Sequence, residues 1–236
     1  MSRTLSPTAA PVGIPFVDGQ PISRRDFYHI TEADPDRYRR TERIDGRVVM
    51  NAASVRREGH GKPNAIIAGM LFNYAAETPG TEVGDNSTAQ IADAHDPQPD
   101  AYLLVLPGYG GQVTFTDDDY IRGAPELIVE VAGRSLQEDL GRKKAIYESD
   151  GCREYLVWAT DRQRFYCFRN SPTGFVEEDV EDGVFRSQTF PGLWLDTAAL
   201  LRDDLSAALA TLRDGLATAE HGAYVRQLAD RRDGAD

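Results

Sequence analysis

The run Leu127-Ile128-Val129-Glu130-Val131 constrains this chain more than any other stretch, because an almost unbroken aliphatic series offers no polar face to solvent. Such a strand is buried on both sides, so the sheet that holds it needs covering layers above and below. A carboxylate inside that run demands an explanation, since a lone buried charge is unfavourable unless it is paired or coordinated.

Periodicity elsewhere supplies the layers. Ile66, Ile67, Met70, Leu71 and Tyr74 recur at spacings that place them on one side of a helix over about 63–77, ended by Pro79-Gly80. A second helix is predicted over 137–149, with Leu140, Ile146 and Tyr147 inward and Asp150-Gly151 at its end. Thr41–Ile44 and Arg47–Met50 flank Asp45-Gly46, the dipeptide a tight hairpin turn prefers. Further short strands are expected at 81–83, 89–91, 101–106, 154–159, 163–169, 174–178 and 184–189. Crossovers together with hairpins define a mixed α/β (α+β) class, a central mixed β-sheet flanked by helices.

Three segments follow from the punctuation. Residues 1–22, carrying Pro7, Pro11, Pro15 and Pro21, sustain neither helix nor ladder and read as a flexible N-terminal arm. Ser23 caps a short helix through Phe27 and Tyr28, a turn-rich stretch follows around Pro35, and the folded domain runs over 23–201. The extension 202–236 places Leu205, Leu209, Leu212 and Leu216 at helical spacing, with Tyr224, Val225 and Leu228 beyond. It reads as a C-terminal amphipathic helix packed on the core or on a partner subunit, so a homodimer through it is one expectation.

Charge narrows the partners. With 26 Lys+Arg against 38 Asp+Glu the net charge is −12, which repels a polyanion at long range and leaves room only for a local basic strip. Arg39, Arg40, Arg43, Arg56, Arg57 and Lys62 form the one sizeable basic cluster before the first long helix, and it reads as a solvated face. No run approaches the roughly 18 apolar residues a membrane span needs, and the start of the chain lacks the apolar core of a signal peptide, so no membrane partner and a cytoplasmic location are expected. Cys152 and Cys167 read as ordinary reduced thiols.

Three acids stand on or beside apolar strands: Glu42, Asp100 and Glu130. Asp100 follows Pro99 and opens Ala-Tyr-Leu-Leu-Val, so neighbouring strands would bring two oxygen ligands together. Clustered carboxylates repel unless a hard cation or a proton intervenes, which outlines a Mg²⁺ site. The alternative makes Asp100 a strand-start turn residue and pairs Glu130 with a Lys or Arg. Asp139 and Lys143, four apart, share one helical face, which either points an ammonium at the carboxylates or forms a salt-bridged surface.

The order Glu42-x-x-Asp45-Gly46, Glu58-x-His60, Pro99-Asp100 and Gly123-Ala124-Pro125-Glu126-Leu127-Ile128-Val129-Glu130-Val131 resembles the Uma2 family of restriction-endonuclease-like proteins. The likeness continues through Asp139-x-x-x-Lys143-x-x-x-Tyr147, Gly151-x-x-Glu154-Tyr155 and Pro191-Gly192-Leu193, and spans about Ser23 to Leu201. That family is assigned to the PD-(D/E)XK nuclease-like superfamily, whose active members cleave phosphodiesters with Mg²⁺. The resemblance implies an endonuclease acting on DNA with Mg²⁺, or Mn²⁺, as cofactor. Asp100 and Glu130 would be its metal ligands, and Asp100, Glu130 and Lys143 its catalytic set.

Glu42 matches an additional acid of the family's early segment, with His60 and Asp139 as further accessory residues. Ala132 stands where the superfamily pattern has its lysine, and a lysine from the following helix, here Lys143, is its implied substitute. His60, at a helix start, reads either as a contact to a phosphate or acidic ligand or as a residue packed under a loop. Tyr147 reads as core. Gly133-Arg134-Ser135-Leu136 departs from the family's usual Ser-Pro-Ser-Thr, and Arg134 is there a candidate phosphate contact. Two other functions remain open: a catalytically inactive nuclease fold serving as a binding or assembly module, and hydrolysis of a smaller phosphate ester.

Overall fold

The structure, a computed structural model, describes residues 16–51 and 54–233. Of the arm expected over 1–22, residues 1–15 lie outside the described residues, and from Phe16 onward the chain is packed. Phe16 stacks on Phe27 at 5.6 Å and meets Tyr38 at 4.7 Å, while Gly19 and Gln20 exchange backbone hydrogen bonds with Val48. Apolar burial and ladder bonds thus replace the mobility that its prolines suggest.

Ser23 caps α1 (Arg24–Ala33) by accepting from the Asp26 amide, and the helix runs further than Tyr28. The one-turn α2 (Pro35–Tyr38) follows. The hairpin β1 (Thr41–Ile44) and β2 (Arg47–Met50) turns at Asp45 and Gly46, both at positive φ, as a two-residue turn of this kind requires. All of β1 is buried, which overturns part of the expected basic surface: Arg43 lies inside, 2.6 Å from the fully buried Asp96. A single π-helical turn, Arg57–Gly61, leads into α3 (Lys62–Ala76), whose Ile67, Met70, Leu71 and Tyr74 enter the core.

The central sheet contains β3 (Thr81–Gly84), β5 (Ala101–Val105), β8 (Leu127–Ala132), β9 (Glu154–Ala159), β10 (Arg164–Ser171) and β11 (Gly174–Glu177), in the order β11-β10-β9-β8-β5-β3. Short strands β4 (Ala89–Gln90), β6 (Thr114–Phe115) and β7 (Ile121–Arg122) form a small sheet beside it. All neighbours in the central sheet are antiparallel except β8 and β9, which are parallel and therefore need a crossover. That crossover is the second expected helix, present as α4 (Leu136–Glu138), a π-turn over Asp139–Lys143 containing Gly141, and α5 (Lys144–Ser149). Single π-turns of this kind concentrate at functional sites.

Strand period two splits β8 between two cores. Leu127, Val129 and Val131 join α3 on one side, whereas Ile128 and Ala132 join Ile44, Tyr147 and Tyr155 on the other. Glu130 shares the side of Ile128 and Ala132.

Beyond β11 the sequence expectations need two corrections. The strand expected over 184–189 ends early as β12 (Val184–Arg186), because Ser187, Gln188 and Thr189 turn their hydroxyl and amides onto the buried Glu154 carboxylate. It pairs instead with β13 (Trp194–Asp196), and Asp196 caps α6 (Thr197–Leu201). The single helix expected in the extension is two, α7 (Leu205–Leu216) and α8 (Ala219–Asp233). Thr218 breaks it: its hydroxyl bonds back to the Gly215 carbonyl at 2.7 Å and accepts from the His221 amide at 3.2 Å, starting a new helix. Ala208, Leu212, Tyr224 and Leu228 are buried in the same core as Val129 and Leu156, so these helices turn their apolar faces onto the chain's own sheet. Among the described residues, no helix is long and apolar enough to cross a membrane.

Candidate active site

The antiparallel register pairs Ala101 with Val129, and continued by one residue it sets Asp100 opposite Glu130. Directly opposed residues of such a pair hold their side chains on the same face within contact distance. Asp100 sits just before β5, and its Oδ2 accepts from the Val131 amide at 2.7 Å. Glu130 is 2% exposed, and its Oε1 accepts from the Tyr147 hydroxyl at 3.0 Å and the Lys143 ammonium at 3.3 Å. Lys143 thus reaches the acids from the π-turn of the crossover helix.

Its ammonium has a second partner, Glu42 Oε1, at 2.9 Å. Glu42 in turn accepts from the Gln98 amide at 2.7 Å and from Asn51 Nδ2 at 2.8 Å, so both of its oxygens are engaged. Across the cleft, the His60 ring donates Nδ1–H to the Val131 carbonyl at 3.0 Å, since a carbonyl can only accept, and its Nε2 stands 3.4 Å from Asp100 Oδ1. Asp139, 3% exposed, lines the same cleft. All six residues singled out in the sequence therefore gather at one place. Asn51, Gln98 and the hydrogen-bonding role of Tyr147 were not anticipated; Tyr147 is core, as expected, and also holds Glu130.

Negative charge is in excess here. Burial pushes the Asp100, Glu130 and Asp139 carboxyls upward, opposed by Lys143 and reinforced by the carboxylates' mutual repulsion. For Asp139 the result is about 7. Lys143 is held well above its ordinary range: burial works against the ammonium, and the attraction of Glu130, Glu42, Asp139 and Asp100 outweighs it.

These groups form the floor of a cleft of about 830 Å³. Its lips carry Val55 and Arg56 on one segment and Arg134 and Ser135 on another, and Met50 and Asn86 line it as well. Arg56 and Arg134 make no ion pair with any described residue, whereas Lys62 of the same sequence cluster pairs with Asp203 at 2.6 Å and Arg57 with Glu58.

Whether these residues suit a divalent cation is answered by their chemistry. Among the described residues no group of three or more His, Cys, Asp or Glu side chains is arranged to hold a metal ion unaided. Asp100 and Glu130, two hard oxygen donors on adjacent strands in a cleft with surplus negative charge, suit a small cation that keeps several waters.

A central mixed sheet flanked by helices, with Asp100 just before β5, Glu130 on β8 and Lys143 on the crossover helix gathered at one cleft, is the layout of a restriction-endonuclease-like fold. The profile of the Uma2 family, described as "Putative restriction endonuclease", matches residues 25–198, and the chain belongs to that family. Among solved structures it is similar to a putative nuclease belonging to DUF820 from Anabaena variabilis ATCC 29413. The TM-score is 0.50 at 12% identity, over 73% of this chain and 90% of that one, a likeness of fold. The search of curated proteins found no match.

Proposed function

We propose that this protein is a Mg²⁺-dependent endonuclease that hydrolyses phosphodiester bonds in DNA, with Asp100 and Glu130 as the cation's ligands. One observation carries the reading: four buried or half-buried carboxylates, Glu42, Asp100, Glu130 and Asp139, surround one ammonium, Lys143, on the floor of an open cleft. Burial raises the Asp100, Glu130 and Asp139 carboxyls, so without metal, protons neutralise part of this excess, and a dication would displace them. A bound Mg²⁺ or Mn²⁺ supplies Lewis-acid polarisation of the phosphoryl oxygen and lowers the pKa of water.

The chain's own groups account for the rest. Lys143, fixed between Glu42 and Glu130, is cationic at neutral pH and so stabilises developing negative charge instead of accepting a proton. Glu42, its oxygens already engaged, acts by holding Lys143. Arg56 and Arg134 at the lips suit contacts to flanking phosphates, which gives a chain of net charge −12 a local attraction for a polyanion. The catalytic unit is 23–201, and of the extension 202–236 the described residues 202–233 form its helical cover.

The test is calorimetric titration of Mg²⁺ into the wild type, Asp100→Ala and Lys143→Ala, with nicking of supercoiled DNA followed in the same samples. Binding and nicking in the wild type, loss of both in Asp100→Ala, and binding without nicking in Lys143→Ala are expected. Wild-type protein that binds metal but cuts no nucleic acid would leave a binding module; cleavage by all three would place the chemistry elsewhere.

A further inference from the structure

We infer that His60 is a positioning residue, the group that sets the distance between Asp100 and Glu130 and so tunes the cleft for a small cation. The inference rests on the metal-dependent reading above. Asp100 lies one residue outside β5, where no ladder bond restrains it. Its Oδ2 is fixed by the Val131 amide, whereas Oδ1 meets the His60 ring, in a cluster where the Asp100 and Glu130 carboxyls stand within hydrogen-bonding reach of each other and Lys143 attracts both.

The ring itself is fixed independently of Asp100. Its Nδ1–H is committed to the Val131 carbonyl, on the residue next to Glu130. The π-turn that carries it is stapled to the ends of both parallel strands: the Thr160 hydroxyl lies 2.9 Å from the Gly59 carbonyl and 3.3 Å from the Ala132 carbonyl. At Gly133 a Cβ would come within 3.2 Å of that Gly59 carbonyl, so the turn has little room to shift. One ring therefore references the acid before β5 to the backbone that bears the acid of β8. With Nδ1–H given to the Val131 carbonyl, Nε2 donates to Asp100 Oδ1 in the imidazolium form of the ring, and at 3.4 Å this long contact holds Oδ1 on the cleft side. Partners of ligating carboxylates carry a substantial share of a site's metal affinity, and Mg²⁺ tolerates distorted geometry less well than Ca²⁺.

Two variants separate the two ends of the ring. In His60→Asn the side-chain amide can replace Nδ1 and keep only the Val131 link; in His60→Gln it can replace Nε2 and keep only the link to Asp100. Titrating Mg²⁺ and Ca²⁺ by calorimetry into the wild type, His60→Ala, His60→Asn, His60→Gln and Asp100→Ala, with melting curves recorded in EDTA, should give a distinctive pattern. We expect Mg²⁺ affinity to fall roughly 10- to 100-fold in His60→Ala and His60→Asn, to recover in His60→Gln, and to fall less for Ca²⁺, with melting temperatures unchanged.

Wild-type Mg²⁺ affinity in His60→Ala, alongside loss of binding in Asp100→Ala, would overturn the role of His60 while leaving the metal site standing. Equal losses in all three His60 variants that track falling melting temperatures would overturn it too, by making His60 merely structural. No difference between wild type and Asp100→Ala would remove the metal site itself and this inference with it.

Discussion

Replacing Asp139 by Asn probes the charge surplus without touching either proposed ligand. Burial, with repulsion from Glu130, raises the Asp139 carboxyl from 3.8 to about 7, against the pull of Lys143 and Ser135. A folded-state pKa above the unfolded one means that the folded protein binds the extra proton. The resulting stability is therefore fully present below pH 3.8 and lost as pH rises through about 7. At about 1.4 kcal/mol per pH unit, the gap amounts to roughly 4 kcal/mol lost between pH 4 and 8. Asn is neutral throughout and does not lose it. In EDTA, Asp139→Asn should therefore melt on the order of 10 °C above the wild type at pH 8, taking 2 to 4 °C per kcal/mol for a chain of this size, and the advantage should vanish near pH 4. Melting curves of both proteins from pH 4 to 8.5 decide it. Parallel pH dependences, or an Asn variant less stable at pH 8, would mean that the Asp139 charge is already compensated and that the electrostatic case for a cation is overstated.

Asp96→Ala removes the acceptor of Arg43, Arg24 and Tyr28 and strands the buried Arg43 guanidinium, which should cost about 3–5 kcal/mol in urea unfolding. Leu103→Ala, in the middle of β5 and fully buried, should cost about 2–5 kcal/mol by the same assay, with unchanged m-value. Gly80→Ala forces a Cβ to 2.4 Å from the Tyr109 ring at a φ of +95°, and should lower stability by more than about 1 kcal/mol.

Much of this architecture was legible because local chemistry and global packing agree. Asp45-Gly46 supplies the two positive φ values its hairpin needs, and the Leu127–Val131 run could only be an interior strand. The acids of the cleft were visible for the same reason, as charges where periodicity demands an apolar residue. What escaped depends on partners distant in sequence. Arg43 looks like surface until Asp96, 53 residues away, is brought beside it. The end of β12 is dictated by Glu154, and the break between α7 and α8 by one threonine whose local hydrogen bonds overrule a leucine repeat that would otherwise continue. Asn51 and the Gln98 amide, which anchor Glu42, sit outside regular elements, where no periodicity marks them.

The site's two acids belong to a sheet register, and a one-residue slip there would turn a whole row of side chains to the opposite face. Fidelity of strand pairing and integrity of the proposed reaction centre are thus one property: a chain that mispairs β5 and β8 forfeits its core together with its acid cluster. The lips are under no such obligation, because Val55, Arg56, Arg134 and Ser135 stand on connecting segments that can be exchanged without disturbing a ladder. Under the proposed function, any retargeting therefore has a defined territory at 54–56 and 134–135, whereas Gly133 is held close to the Gly59 carbonyl.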